Sequence, residues 1–125
     1  MSRPVLEPTA EHPITIEPTA GRVVVRIGDT VVASSEQSLT LQESTYPAVQ
    51  YIPLADVDQS LLRRTDTESY CPFKGDASYY SVQTADGGTV TDAIWTYEQP
   101  YAAVSEIKDH VAFYPDKAAV TVESA

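Results

Sequence analysis

The chain has 125 residues, which fits one domain, and 42% of them are hydrophobic, which is too many for a disordered protein. Its 18 acidic and 8 basic residues leave a formal charge of -10, which repels nucleic acid and anionic membranes, so we expect neither as a partner. One cysteine forms no internal disulfide, and with two histidines it lacks the ligands of a structural zinc site. The sequence thus predicts no metal and no cofactor.

The first residues are typical of an extended arm and not of a targeting segment. Residues 1–19 contain four prolines, and no apolar stretch of about seven residues follows Arg3, so no signal peptide is predicted. No run approaches the roughly 18 apolar residues of a membrane-spanning helix. We therefore expect a cytoplasmic protein with a proline-rich arm at 1–13 and one domain at 14–125.

Short β-rich runs follow one another along this domain. Residues 23–27 and 30–33 flank a Gly-Asp pair, a pattern typical of a hairpin with a two-residue turn. Alternation at 39–41 and an apolar run at 48–52 predict two more strands. Residues 58–64 begin with an N-cap candidate and end with two arginines, which favours a short helix or turn.

The second half of the domain continues this pattern. A run rich in Tyr, Ser and Val at 77–84 and a turn at 85–88 predict a second hairpin with 89–91. The remaining predicted elements are a strand at 93–97, a short helix within 102–110, and strands at 111–114 and 118–122. At least seven short strands predict a mainly β fold, a compact antiparallel domain that is barrel-like or folded over itself. The sequence shows no βαβ rhythm and no Gly-rich phosphate loop, which argues against a nucleotide-binding fold.

The aromatic residues are concentrated in one stretch. All eleven lie between positions 46 and 114, and eight are tyrosines. A tyrosine buries a large ring but needs a partner for its hydroxyl, so a dense set is typical of a pocket wall or a half-exposed sheet face. The alternative is that the rings fill the core of a small domain. Tyr79 and Tyr80 are adjacent and would point to opposite faces of a strand, so at most one of them joins any one pocket.

Cys71 and Lys74 lie close together in the phrase SYCPFKGDASYYSV. A reactive thiol needs a nearby cation or a helix N-terminus, and a tight turn at 71–75 would bring the lysine to the thiol. The alternatives are that Asp76 takes the lysine as an ordinary ion pair and that the cysteine is an inert core residue. Cys71 as a nucleophile, with Lys74 as its activating charge or acid, is one of these open interpretations.

No conventional catalytic triad is visible. His12 in the arm and His110 before a predicted strand are candidate bases, although either fits a surface or core role. Glu43 and Asp56 flank the segment 46–53 and are candidates for orienting a hydroxyl or an amine, although carboxylates at strand ends are usually solvated.

Four phrases occur in order along the chain: TYPAVQYIPLADV at 45–57, SYCPFKGDASYYSV at 69–82, AIWTYEQPY at 93–101 and IKDHVAFYPDKAAV at 107–120. Together they resemble the DUF427 family, small bacterial and fungal proteins of unknown function, from about His12 to Val122. The family's phrases fall on these positions: Tyr46, Tyr51, Pro53, Asp56, Cys71, Pro72, Lys74, Gly75, Tyr80, Trp95, Tyr97, Phe113, Tyr114 and Pro115. The resemblance supplies a constellation of residues without assigning them roles.

The resemblance implies a β-rich fold similar to the Mss4-like, β-tent type of domain. Relatives of that architecture often hold zinc through paired Cys-x-x-Cys motifs, but a chain with one cysteine does not inherit the metal. A nucleotidyltransferase-like label is also attached to the family. This sequence departs from that label, because no Gly-Ser pair leads into two spaced aspartates that would hold Mg²⁺.

The leading hypothesis from the sequence is a small-molecule-binding β domain whose partner is an unidentified small molecule. The candidate ligand-binding residues are Tyr46, Tyr51, Lys74, Tyr80, Trp95 and Tyr114. Lys74 would contact a carboxylate or phosphate of the ligand. The second hypothesis is an enzyme that uses Cys71 as nucleophile. The third is a structural or protein-interaction module with an exposed tyrosine face, and the oligomeric state stays open.

Overall fold

A computed structural model of the chain describes residues 4–84 and 87–123. Within these residues, ten strands and three short 3₁₀ helices follow one another. The strands are β1 (Ile14–Pro18), β2 (Arg22–Ile27), β3 (Thr30–Ser35), β4 (Leu39–Glu43), β5 (Val49–Pro53), β6 (Leu62–Cys71), β7 (Gly75–Gln83), β8 (Thr89–Thr96), β9 (His110–Phe113) and β10 (Ala119–Glu123). The 3₁₀ helices are Leu54–Asp56, Gln59–Leu61 and Ala102–Ile107.

The strands form two antiparallel sheets. The larger sheet has the order β1-β4-β5-β9-β8-β7-β6, and the smaller has the order β10-β2-β3. This architecture confirms the prediction of a mainly β, antiparallel domain. The finer Mss4-like assignment stays an implication of the family resemblance.

The first predicted hairpin is confirmed. Strands β2 and β3 pair with Ile27 opposite Thr30, so the two-residue turn consists of Gly28 and Asp29. Gly28 has φ +58°, a left-handed conformation that glycine adopts without steric cost. Val23 is fully buried, as expected for one face of a hairpin that packs on a core.

The predicted helix or turn at 58–64 is wrong beyond residue 61. The side chain of Asp58 accepts a hydrogen bond from the Ser60 amide at 3.1 Å, but the 3₁₀ helix ends at Leu61. Strand β6 then runs for ten residues along the edge of the large sheet. Most of its side chains face solvent, so an edge strand of this kind carries no apolar alternation by which to find it in the sequence.

The second predicted hairpin is confirmed, although positions 85 and 86 of its predicted turn lie outside the described residues. Strands β7 and β8 pair with Val82 opposite Val90. The strands predicted at 89–91 and 93–97 are one strand. Asp92 sits within it at φ +50°, near an irregularity in the pairing with β7, and its carboxylate accepts hydrogen bonds from Thr65 and Thr67 of β6.

Alternating side chains of the large sheet enter two separate hydrophobic clusters. The first cluster lies between the two sheets and includes Val25 of β2, Val82 of β7 and Ile94 of β8. The second lies on the other side of the large sheet and includes Leu41 of β4 together with Val104 and Ile107 of the 3₁₀ helix Ala102–Ile107. This second side of the sheet carries the candidate site.

Candidate functional site

The turn between β6 and β7 holds Lys74 in a fixed position. The Lys74 amide donates to the Cys71 carbonyl at 3.2 Å, which confirms the tight turn predicted at 71–75. The Lys74 carbonyl in turn accepts from the Tyr101 amide at 3.0 Å. Gly75 closes the turn at φ +112°, and a Cβ there would lie 3.3 Å from the Gln99 carbonyl oxygen. The backbone at this position therefore requires glycine.

The side chain of Lys74 forms a largely buried ion pair with Glu43 at the end of β4. The side-chain exposures are 8% for Lys74 and 17% for Glu43. Glu43 follows Leu41 by two positions, so the side chains of Glu43 and Leu41 lie on the same face of β4. This is the face that carries the second hydrophobic cluster. One alternative from the sequence was an ordinary ion pair of the lysine with Asp76, whereas the structure pairs Lys74 with Glu43.

The arm contributes a third charged or polar group, His12. Its Nε2 lies 2.8 Å from Glu43 Oε2, and its ring stacks on Phe73 with centroids 4.3 Å apart. The arm is held against its own domain, because the Leu6 amide donates to the Pro72 carbonyl at 2.9 Å. His12 thus contacts the site through the carboxylate of Glu43.

These contacts set the protonation state of Glu43. Burial alone raises the pKa of a carboxyl, but hydrogen bonds from Lys74 and His12 outweigh it and hold the Glu43 pKa below its ordinary value. The carboxylate is therefore ionised at neutral pH, and it faces a lysine ammonium.

A cavity of about 240 Å³ opens beside this ion pair. Its remaining walls are mostly aromatic, and the lining residues are Leu41, Glu43, Tyr46, Pro47, Val49, Tyr51, Lys74, Tyr79, Trp95, Tyr97 and Tyr114. Most of these side chains come from strands of the large sheet or from the residues just after them. The cavity therefore joins one charged pair to a wall of rings.

The sheet positions the rings through its register. Tyr79 of β7 lies opposite Trp95 of β8, and Tyr97 follows Trp95 by two positions on the same side of the chain. The Trp95 indole N–H donates to the Tyr51 hydroxyl at 3.2 Å. Burial raises the pKa of the Tyr51, Tyr97 and Tyr114 hydroxyls above the ordinary value. At neutral pH these rings are uncharged hydrogen-bonding groups.

Comparison with protein families identifies the chain. The family model described as a domain of unknown function, DUF427, matches residues 15–124, nearly the whole length. The chain belongs to the DUF427 family. A search of curated proteins finds no match. The matched region of this DUF427 domain contains every residue that lines the cavity, whereas His12 precedes it.

Most of the ligand-binding residues predicted for the DUF427 domain lie together. Tyr46, Tyr51, Lys74, Trp95 and Tyr114 all line the cavity. Whether they bind a ligand stays a prediction.

Tyr80 does not line this cavity. It packs against the cluster between the sheets, and the Arg64 guanidinium lies 5.7 Å from its ring centroid. The adjacent Tyr79 lines the cavity instead, as expected for neighbours that point to opposite faces of a strand.

The ligand-binding residues predicted from the sequence leave out several residues of the cavity. Tyr97 was signalled by its spacing of two from Trp95. Glu43 was a candidate for orienting a hydroxyl or an amine but was not placed in the pocket, although alternation puts it on the same face as Leu41. The pairing of Glu43 with Lys74 had no local signal, because 31 residues separate them.

Cys71 lies beside the ion pair of the DUF427 domain. Its Sγ is 3.9 Å from Lys74 Nζ, and the half-buried side chain packs against the second hydrophobic cluster. The other polar candidates have separate contacts. His110 Nδ1 lies 2.8 Å from the Lys108 carbonyl oxygen, and Asp56 accepts a hydrogen bond from the Ser35 hydroxyl at 2.5 Å.

Within residues 4–84 and 87–123, no group of three or more His, Cys, Asp or Glu side chains is arranged to hold a metal ion. No helix in the same part of the DUF427 chain is long and apolar enough to cross a membrane.

Proposed function

We propose that this DUF427 protein binds a small uncharged molecule in the aromatic cavity, with the polar end of the molecule on the Glu43–Lys74 pair. The observation that carries this proposal is the position of a largely buried ion pair in the wall of a cavity that is otherwise lined mainly by rings. Cavities with an apolar lining and a few convergent polar groups are the usual form of small-molecule sites.

The ion pair favours a neutral ligand group over an anionic one. Lys74 has its charge balanced by Glu43, so an incoming carboxylate would meet the repulsion of the Glu43 carboxylate. A lysine ammonium has three donor hydrogens and a carboxylate has about four acceptor sites, so the pair keeps capacity for a further partner. A group that both accepts and donates, such as a carboxamide, matches the pair. This revises the sequence-based expectation of an anionic ligand.

The size of the cavity limits the ligand. Sites for drug-sized ligands occupy about 300–1,000 Å³, and the cavity is smaller, at about 240 Å³. The aromatic walls offer apolar faces together with tyrosine hydroxyls that are uncharged at neutral pH. The portion of the ligand inside the cavity is therefore small, with an apolar body and one polar end.

Thermal unfolding with three related probes tests the proposal. Benzamide, benzoate and benzylamine share one ring and differ in the charge of the polar group. At ten times its dissociation constant, a ligand stabilises the folded state by about 1.4 kcal/mol, which raises Tm by a few degrees. We expect benzamide to give the largest rise, and Glu43→Gln to reduce it. Glu98→Gln, at an exposed ion pair with Arg64, is the matched control and should keep the rise.

The three probes separate the alternatives. A larger shift with benzoate would restore Lys74 as an anion contact and contradict the neutral-ligand proposal. No shift with any of the three at millimolar concentration would contradict ligand binding in this cavity by such groups.

A second candidate function is an enzyme with Cys71 as nucleophile. It is favoured by the 3.9 Å distance between Cys71 Sγ and Lys74 Nζ, since a cation near a thiol promotes the reactive thiolate. Cys71 is the single cysteine, so iodoacetamide labels one position. Alkylation faster than that of a free thiol at neutral pH, lost in Lys74→Met, would support the enzyme. Alkylation only after unfolding would exclude it.

The proposal includes the cellular location of the protein and the kinds of partner that it does not bind. A cytoplasmic location is compatible with one unpaired cysteine, because the cytoplasm keeps thiols reduced. The charge of -10 argues against nucleic acid and anionic membranes as partners. Of the eight tyrosines, Tyr46 alone is exposed, which gives less support to a protein-interaction module with a tyrosine face.

A further inference from the structure

A second concavity of about 530 Å³ lies next to the aromatic cavity, and we call it the apolar groove. We infer that it receives an unbranched apolar tail of the same ligand whose polar end sits on the Glu43–Lys74 pair. This inference rests on the proposed function and names the ligand class as elongated molecules with a polar head and a hydrocarbon tail.

The groove and the cavity share a wall. Tyr46, Pro47, Val49 and Trp95 line both of them, so the two spaces meet along these side chains. Beyond the shared wall, the groove is bounded largely by Phe113, Pro115, Val120 and Val122. An occupant of the cavity thus lies next to a second, largely apolar surface.

The two spaces differ in chemistry. The cavity contains the charged pair, whereas no Asp, Glu, Lys or Arg lines the groove among the described residues. Tyr46 is 59% exposed and Val122 is 49% exposed at its edges. Apolar side chains that are grouped around a concave surface and left open to solvent are typical of a binding site. A molecule that spans both spaces therefore needs one polar end and one apolar end.

The loop that carries Tyr46 and Pro47 of the shared wall is held by hydrogen bonds. The Tyr46 amide donates to the Glu43 carbonyl at 3.0 Å, and the Gln42 side chain donates to the Tyr46 carbonyl at 2.5 Å. The shared wall is therefore preformed, and its position is tied to the strand that ends in Glu43. This connection places the head site and the tail site on one supported element.

A hydrocarbon tail fits the groove better than a protein partner. A stable protein interface uses roughly 20–30 residues on each side. Among the described residues, the groove is lined by the four shared residues, the four named above, Ala48 and Gln50, which is well short of that number. The four side chains that it shares with the cavity also favour a single occupant that reaches from one space to the other.

Straight-chain amides test the inference. Trp95 is the only tryptophan and lines both spaces, so its fluorescence reports binding of butanamide, hexanamide and octanamide. Each buried methylene is expected to increase affinity by roughly three- to fourfold. In Val122→Asp the increase with chain length should be lost while butanamide affinity is kept. Val31→Asp, at a valine of similar exposure outside the groove, should behave like wild type.

Each outcome decides between the two proposals. Equal affinity for all three amides would overturn the tail site and leave the proposed function standing. Affinity that rises with length, falls in Val122→Asp and is unchanged in Glu43→Gln would keep the groove and contradict the head site. No binding at any length would overturn both. A dimer in analytical ultracentrifugation that Val122→Asp converts to monomer would assign the groove to a second copy of the chain and overturn the tail.

Discussion

Glu43 and Lys74 are 31 residues apart in the chain and form a largely buried ion pair. Glu43 ends β4, near one edge of the large sheet, and Lys74 lies in the turn that joins β6 and β7 at the opposite edge. The ion pair therefore joins the end of β4 to the β6–β7 turn, although β5, β9 and β8 lie between β4 and β7 in the sheet. The aromatic cavity opens beside this contact, and both residues of the ion pair line it.

Removing one partner of the ion pair should destabilise the protein. Lys74→Met leaves the Glu43 carboxylate partly buried without its lysine, and Glu43→Gln leaves the lysine without its counter-charge. We expect each change to reduce the free energy of unfolding by about 3 kcal/mol, measured by urea denaturation. The double variant should lose less than the sum of the two single losses.

The exposed pair Arg64–Glu98 provides the control. Its side chains are 48% and 51% exposed, so Glu98→Gln should cost less than about 1 kcal/mol. Equal losses for Glu98→Gln and Glu43→Gln would contradict the view that burial distinguishes the two pairs.

The lowered pKa of Glu43 predicts that its contribution to stability is lost at acidic pH. A carboxyl with a lower pKa in the folded than in the unfolded chain stabilises the fold above its ordinary pKa of 4.5, and this contribution is lost as pH falls through the folded value. The stability difference between wild type and Glu43→Gln should therefore shrink below about pH 4.5. Urea midpoints at successive pH values measure it.

Leu41→Ala is the control for this acid dependence, because it removes a buried side chain that does not titrate. Its deficit relative to wild type should stay nearly constant with pH. A Glu43→Gln deficit that is equally constant would show that the carboxylate has no special stabilising contact.

The raised pKa of three tyrosine hydroxyls predicts that the protein becomes less stable at alkaline pH. The pKa of the Tyr51, Tyr97 and Tyr114 hydroxyls is raised by burial, so these groups keep their protons where a free tyrosine, with a pKa near 10, ionises. Unfolding releases those protons more easily, and stability should fall as pH rises above 10. Absorbance at 295 nm should show at least three tyrosines un-ionised at pH 10.5 in the folded protein.

Tyr97→Phe identifies one of these tyrosines. It should remove one late-ionising group from the folded protein and leave the early part of the titration unchanged. Ionisation of all eight tyrosines in one step near pH 10, with the fold intact, would contradict the buried aromatic wall.

Replacement by alanine should destabilise the protein more at Gly75, in the turn that holds Lys74, than at Gly28. Gly75 has φ +112° and a backbone oxygen 3.3 Å from the position of a Cβ, whereas Gly28 has φ +58° and nothing within 4 Å. Gly75→Ala should cost about 2–3 kcal/mol, and Gly28→Ala about 1 kcal/mol. Chemical denaturation of both variants measures this, and equal costs would indicate that the turn at 71–75 adapts freely.

Local patterns in the sequence predicted the parts of the site that local geometry determines. The tight turn considered at 71–75 is the one that carries Lys74, and the adjacency of Tyr79 and Tyr80 indicated that a single pocket holds only one of them. The choice of Tyr79 was not predictable, because both faces of β7 pack on hydrophobic clusters. Alternation gives the face of a side chain but does not say which face has a cavity.

Contacts between residues far apart in the chain could not be predicted from local sequence patterns. The pairing of Glu43 with Lys74 depends on the strand order of the large sheet, which no local motif specifies. Strand β6 was missed for a related reason, since an edge strand buries few of its side chains and its residues look like those of a loop. The stacking of His12 on Phe73 likewise joins the arm to a turn far along the chain.

The most direct test of the central claim is the indole N–H signal of Trp95 in a proton–nitrogen correlation spectrum. The chain has one tryptophan, so this signal is unambiguous, and the indole lies in the cavity wall with its N–H on the Tyr51 hydroxyl. We predict that benzamide shifts the signal saturably in wild type and about tenfold more weakly in Glu43→Gln, a change of about 1.4 kcal/mol. An indole signal that stays in place at millimolar benzamide would contradict the proposed site.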